Sequence, residues 1–203
     1  MLIDSSRLIG CPVLSIHQTA PVACVEYEVV EPESLNIIAF QVWGAIIQNN
    51  PELGELLDTR DIREFSPIGI IVDSESDFIN PGDVVKIDKT LSLRFSLIGL
   101  KVVTKKGSKL GKVTDFTVDT ATWKVQQLIV KRPLAKSLID PELVIPRREI
   151  LEIDDYKIIV KDEEETIKKA AARQAFVPNF VNPFREPDFS TSRRGNPDAQ
   201  DKQ

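Results

Sequence analysis

Residues Leu97–Val130, LIGLKVVTKKGSKLGKVTDFTVDTATWKVQQLIV, read as three consecutive strands joined by two turns. The first run, Gly99 to Thr104, is apolar and β-branched, and Lys105-Lys106-Gly107-Ser108-Lys109 interrupts it with a glycine free to take a positive φ. The second, Lys112 to Asp119, sets Val113, Asp115 and Thr117 against Thr114, Phe116 and Val118, the period of two of an extended chain. Asp119-Thr120-Ala121-Thr122 then supplies side chains that favour a turn, and the third run is Trp123 to Lys131.

Outward from this stretch, the 203 residues have an ordinary globular composition, enough for one sizeable core or two small ones. The most apolar windows, Leu35 to Ile47 and Ser96 to Val103, are too short or interrupted to cross a bilayer, and Asp4 and Arg7 stand where an export signal would continue apolar. Cytoplasmic residence is the expectation, with Cys11 and Cys24 on adjacent strands and reduced. The net charge of −5 hides an asymmetry. Residues 1–89 hold five basic and fifteen acidic side chains, a balance of −10, and residues 90–203 hold 21 and 16, a balance of +5. Opposite halves attract each other, recruit separate partners, or allow self-association.

The turn and strand Gly111-Lys112-Val113-Thr114-Asp115-Phe116-Thr117-Val118-Asp119, followed by the strand Val125 to Val130, resemble the signature of the PRC-barrel family. These are small β-barrels found in the photosynthetic reaction-centre H subunit and the ribosome-maturation factor RimM. The resemblance implies a module that binds other macromolecules rather than a particular activity. The membrane helix that precedes the H-subunit barrel has no counterpart here, and residues 1–89 do not resemble the N-terminal domain of the maturation factor.

Residues 1–80 read as a weaker copy of the same pattern, offset by about 88 to 89 positions. Leu8-Ile9-Gly10 falls on Leu97-Ile98-Gly99, Val25 on Val113, Val30-Glu31 on Val118-Asp119, and Ile70-Ile71-Val72 on Ile158-Ile159-Val160. The expected fold is therefore mainly β: two tandem small antiparallel β-barrels, each followed by a short helix, and an extended C-terminal tail. The divisions are a degenerate repeat at 1–80, a connector at 81–93, a PRC-barrel-like repeat at 94–162, a helix at 163–175 and a Phe/Pro-rich then disordered tail at 176–203. Expected strands in the first repeat are 12–17, 22–31, 36–43, 61–65 and 69–72; 143–145, 150–153 and 156–160 complete the second. Closure of each sheet would remove its exposed edges. Asp162-Glu163-Glu164-Glu165 before Lys168, Lys169 and Arg173 is the charge order of a helix.

The strongest candidate for function is basic: Lys101, Lys105, Lys106, Lys109 and Lys112, in a run without an acid, joined by Lys131, Arg132, Lys136, Arg147 and Arg148. Shared on one face, they would attract phosphates or an acidic protein surface; the competing reading is a solvated hairpin kept soluble by its lysines. A nucleic-acid site would also want aromatic side chains among the charges, and the nearest, Trp123, is expected in the core. The second candidate is the tail, where Phe176, Phe180, Phe184 and Phe189 recur among prolines and would dock on the chain's own barrels or on a partner. Glu26 and Glu28 are expected on one solvated strand face, pointing away from Val25, Tyr27 and Val29, with divalent-cation binding the rarer alternative. The long loops Gly44 to Thr59 and Leu134 to Pro141 either form contact surfaces or cap the barrel ends.

A nucleophilic Cys-His pair using Cys11 or Cys24 with His17, placed on a strand beside them, lacks an orienting acid and an oxyanion turn. Metal-ligand spacings, a P-loop and a dinucleotide fingerprint do not occur. The expectation is a non-enzymatic adaptor, without cofactor or metal, that binds a protein through Lys101, Lys105, Lys106, Lys109, Lys112, Arg147, Arg148, Phe180 and Phe184. The alternative is a ribosome-maturation role with a ribosomal protein or RNA as partner.

Overall fold

Runs of β-branched and aliphatic residues fold into strands in two successive sets. The first set is β1 (Leu2–Asp4), β2 (Pro12–Ser15), β3 (Pro21–Glu31), β4 (Asn36–Trp43), the short helix α1 (Ala45–Asn49), β5 (Leu56–Asp58), β6 (Ile62–Ser66), β7 (Gly69–Val72) and β8 (Phe78–Ile79). Helix α2 (Val85–Ser92) leads to the second set: β9 (Lys101–Thr104), β10 (Lys109–Asp119), β11 (Lys124–Lys131), β12 (Glu142–Pro146), β13 (Ile150–Ile153) and β14 (Lys157–Val160). This computed structural model describes residues 1–18, 20–50, 52–133, 141–154 and 156–162. Met1–Thr166 form one unit; Ile167–Gln203, a second, lie outside the described residues, as do the whole of the helix expected at 163–175 and all of the tail with Phe180 and Phe184.

The two sets are paired alike. β2 lies between β3, antiparallel, and β7, parallel, while β9 lies between β10, antiparallel, and β14, parallel. β3–β4–β5 and β10–β11–β12 are both antiparallel meanders, and β6–β7 and β13–β14 both hairpins. Registers agree residue by residue at the 88–89 offset: Val13↔Ile70 and Leu14↔Ile71 in one set, Val102↔Ile158 and Val103↔Ile159 in the other.

An approximate twofold axis relates the sets where β4 meets β11. Asn36 pairs with Lys124, its own counterpart at the 88-residue offset. On either side, Ile37 N–H donates to the Trp123 carbonyl at 2.8 Å and Val125 N–H to the Leu35 carbonyl at 3.0 Å, again reciprocal counterparts. Leu35 and Trp123 both take left-handed conformations, φ 52° and 54°. Such a conformation costs a non-glycine residue about 1–3 kcal/mol, which packing must offset. It does so here: Trp123 is buried and stands edge-on to Phe40, with ring centroids 5.1 Å apart, and to Phe65 at 6.1 Å.

One apolar cluster runs through both sets and includes Leu8, Val25, Phe40 and Ile70 with Phe116, Val125, Leu128 and Ile158. β1 adds a further tie, since the N-terminal strand pairs with β10 of the second set, Ile3 opposite Val118. A smaller cluster, Val29, Ala39, Leu56 and Ile87, seats α2 against the first set.

Several expectations change. Neither set is purely antiparallel, because β2 lies parallel beside β7 and β9 parallel beside β14. Strand pairing also does not close the sheet into a barrel: β6 and β13 end the hydrogen-bonded path, and the outer edge of β5 is taken by β8. The stretch at 81–93, expected as a connector, carries α2, which buries Ile87 and Thr90. After the first set there is a single 3-10 turn, Glu75–Asp77, closed by a reciprocal Ser74–Asp77 cap. Glu26 and Glu28 do not share a clean face, because a bulge between Val25 and Tyr27 shifts the alternation, exposing Tyr27 and drawing Glu28 partly inward. His17 lies in the turn beyond β2, and exposed, rather than on a strand.

Candidate partner-binding groove

The basic cluster resolves into a row and its surroundings. Lys101 on β9 pairs with Lys157 on β14 and with Lys112 on β10, and Lys112 pairs with Lys131 on β11. Paired positions put side chains on the same face, so four exposed lysines stand side by side across four neighbouring strands. Like charges directly opposite one another are destabilising, which makes this row an unusual surface to maintain without an anion. Lys157 has a distant acid, Asp154, at 3.8 Å. Lys101, Lys112 and Lys131 have no salt bridge among the described residues.

Beside the row is a groove of about 800 Å³, bordered by Lys101, Lys109, Lys112, Lys131 and Arg132, with the exposed Ile98 and the half-buried Val103 as its apolar side chains; Val102 and Val113 underlie it but are sealed in the core. β10 and β11 come unusually close here: a Cβ on Gly111, φ +155°, would lie 2.1 Å from the Lys131 carbonyl oxygen, so no other residue fits. Lys109 opposes Val103 across the β9–β10 hairpin, which brings its ammonium group to the groove's edge.

Of the residues singled out by sequence, Lys101, Lys109, Lys112, Lys131 and Arg132 meet at this groove, and Lys136 lies outside the described residues. Lys105 and Lys106 do not line it; they form the β9–β10 turn, where Lys105 N–H donates to the Val160 carbonyl at 2.9 Å and Lys106 lies 4.0 Å from Asp162. Arg147 is placed inward, at the junction of the two sets. Its guanidinium donates to the carbonyls of Leu35 and Val125, each at 3.3 Å, and to that of Ser34. Arg148 is exposed, and its carbonyl accepts from Lys161. Phe180 and Phe184 lie outside the described residues. The cross-strand row, with Lys157 in it, was missed by sequence reading; an alignment of the two repeats extended to strand register carries the signal.

The acids of the Gly111–Asp119 signature have structural work. Asp115 accepts from Ser5 Oγ at 2.6 Å, Ser6 N–H at 3.3 Å and Phe116 N–H at 2.7 Å, which ties the N-terminal segment to the second set. Burial acts to raise the pKa of Asp115, but these hydrogen bonds outweigh it and hold the carboxyl below its ordinary range. Asp119 organises its own turn through Ala121 N–H and Thr122 Oγ1. Glu28 behaves in the opposite way: burial, reinforced by the Asp115 carboxylate, pushes it up despite a hydrogen bond from its own backbone. Cys11 and Cys24 are free thiols. Burial raises the Cys11 thiol, against a hydrogen bond from Ile70, and keeps it protonated at neutral pH. Among the described residues no group of three or more His, Cys, Asp or Glu could hold a metal, and no helix is long and apolar enough to cross a membrane.

This geometry coincides with a family match. Residues 89–167 match the family model of the PRC-barrel domain, a span that covers α2's C-terminal end and all six strands of the second set. The match covers 79 of the 203 residues, and the groove and lysine row fall within it. No curated protein matches the chain.

Proposed function

We propose that the protein is a non-enzymatic, cytoplasmic adaptor that holds a protein partner on its second half, at the groove bordered by the lysine row. The observation that carries this reading is the alignment Lys157–Lys101–Lys112–Lys131 beside the apolar side chains of Ile98 and Val103. Repulsion within the row is relieved by a ligand bearing several negative charges, and Ile98 with Val103 favours one that also brings apolar side chains. An acidic protein surface has both. RNA supplies the charge, but among the described residues the groove lining has no aromatic side chain on which a base could stack. The first half is read as a degenerate second copy of the same unit, on the strength of its identical strand order, and acts as a scaffold that anchors Trp123. The Phe/Pro tail, through Phe180 and Phe184, adds a further contact with the partner.

The test is affinity purification of the tagged full chain from its own cells, beside a Lys101→Glu, Lys112→Glu, Lys131→Glu variant, with and without nuclease and at low and high salt. A protein lost from the variant and retained after nuclease is the expected result. Ribosomal components that disappear with nuclease identify the maturation-factor alternative. Capture unchanged by the three substitutions removes the groove as the site.

A further inference from the structure

Among the described residues, the first set keeps open a strand edge that the second set fills with β1. β3 runs along β4 in the register in which β10 runs along β11, with bulges at the same two places, so Val29–Glu31 correspond to Thr117–Asp119. β2 and β9 cover only the starts of these two strands. Beyond β9, the edge of β10 is taken by β1, with Ile3 opposite Val118 and Asp4 opposite Thr117, and Ser5 extends the contact by donating to Asp115. Beyond β2, no described strand pairs with the corresponding edge of β3. The residues that correspond to β1 at the 89-residue offset, Leu91–Leu93, close α2 instead, and Arg94, left-handed at φ 50°, ends the helix. The chain's own equivalent of β1 is therefore in place, and it leaves the edge unpaired.

Between this edge and the end of α2 is a cleft of about 250 Å³, lined by Tyr27, Glu28 and Val30 on β3 and by Leu91, Arg94 and Phe95. Its charge is mainly negative. Glu28 is half-buried, has no salt bridge among the described residues, and its carboxylate accepts from its own backbone N–H. The Asp115 carboxylate adds to the negative field at Glu28. Glu26 and Glu55, both exposed, stand near the Tyr27 phenol and are likewise without a salt bridge among the described residues. Against these three carboxylates the lining sets one exposed cation, Arg94. An unpaired strand edge is a template on which an extended segment adds a strand, and a carboxylate partly withdrawn from water is stabilised by a cation brought beside it.

We infer that this edge of β3 accepts an extended basic segment of a partner protein, which pairs antiparallel with Glu28–Glu31 as β1 pairs with β10. An aliphatic residue of the segment takes the place of Ile3, beside Val30 and Leu91. Two positions further on, where Ser5 follows Ile3, a lysine or arginine faces Glu28. The acidic first half thereby holds a partner of its own, beyond its role as a scaffold and independently of the lysine groove.

The probe is a nine-residue peptide, capped at both ends, of alternating Thr and Val in which one central Val is replaced by Ile and the next on that face by Lys. It is titrated into the full chain by calorimetry and by amide chemical-shift mapping. Two controls accompany it: the same sequence with N-methyl groups on every amide from the Ile to the Lys, and a version with Glu for Lys. The probe is expected to bind, to protect the amides of Glu28 and Val30 from hydrogen exchange, and to bind at least tenfold more weakly to the Glu28→Gln variant, whose side chain keeps the shape without the charge. Equal binding of either control, undiminished binding to Glu28→Gln, shifts confined to other strands, or no binding overturns the inference. Binding seen only after Phe176, Phe180, Phe184 and Phe189 are changed to Ser overturns it too, by giving the edge to the chain's own tail. So does a dimer of the protein that the probe dissociates, which gives the edge to a second copy.

Discussion

Lys112 faces Lys131 directly across β10 and β11, and Lys101 across β9 and β10, with no acid among the described residues bonded to any of the three. In the first half the same three positions are Pro12, Cys24 and Trp43. The repeated fold therefore does not require the charges, and their presence in one copy alone separates what the architecture needs from what the surface offers a partner.

The row should cost stability in the free protein. Lys112→Gln is expected to raise the unfolding free energy by about 0.2–1 kcal/mol at low ionic strength. Added salt, which screens the exposed charges, should narrow the difference. Urea titrations at two salt concentrations measure this, and a loss of stability in the variant would mean that Lys112 is held by an attraction.

Arg147 and Arg148 are neighbours in sequence with opposite assignments. Arg147 satisfies the carbonyls of Ser34, Leu35 and Val125 at the junction, so Arg147→Ala is expected to cost about 2–3 kcal/mol, a charged hydrogen bond and its orphaned acceptors. Arg148→Ala, at an exposed position, should stay within about 0.5 kcal/mol. Equal effects in a denaturation series would remove Arg147 from the junction.

A fragment of residues 90–175 is expected not to retain the native core, although it contains all but the first residue of the matched span 89–167. Its Trp123 loses Phe40 and Phe65, and β10 loses β1. In a Trp43→Phe background the single indole reports this: blue-shifted emission and a cooperative transition in the full chain, red-shifted emission and a broad transition in the fragment. A fragment with the full chain's spectrum and cooperativity would show that the halves fold independently.

Glu28 and Asp115 act in opposite directions with pH. Burial raises the folded-state pKa of Glu28, so the folded protein binds the proton more readily than the unfolded chain, and stability falls as pH rises from the unfolded value through the folded one. Glu28→Gln should therefore be more stable than the parent at neutral pH, with the gain disappearing in acid. Asp115 is lowered by its hydrogen bonds; its contribution is present above the unfolded pKa and is lost as pH falls through the folded one. Asp115→Asn should accordingly be destabilised at neutral pH and approach the parent only in strong acid.

Local pattern made most strands legible. The β-branched alternation of Asn36–Trp43, Gly69–Val72 and Ile150–Ile153 gives those elements to the residue, and the Asn36–Lys124 offset carries through to the twofold axis. Three things were not legible because they depend on partners distant in sequence. β5, three residues long, is a strand only because β4 and β8 flank it. α2 has little apolar surface, and only Val29, Ala39 and Leu56 give Ile87 a place to be buried. The bulge at Val25–Tyr27 turns Glu28 toward the interior, where its counterpart Phe116 is a core residue. At the site, sequence found Lys101, Lys109 and Lys112 but grouped them by proximity along the chain. Proximity along the chain makes Lys105 and Lys106 equivalent to them, whereas register excludes these two from the groove, puts Lys131 beside Lys112 and adds Lys157 to the row.

The central claim is that partners are held at this groove, and site-specific photocrosslinking in the cell tests it most directly. A benzophenone amino acid at Thr114, which lines the groove, is compared with one at Arg63, exposed on the first half. The account predicts one dominant protein adduct from Thr114, abolished by Lys112→Glu with Lys131→Glu, and none from Arg63. Equal adducts from both positions, or none from Thr114, would contradict it.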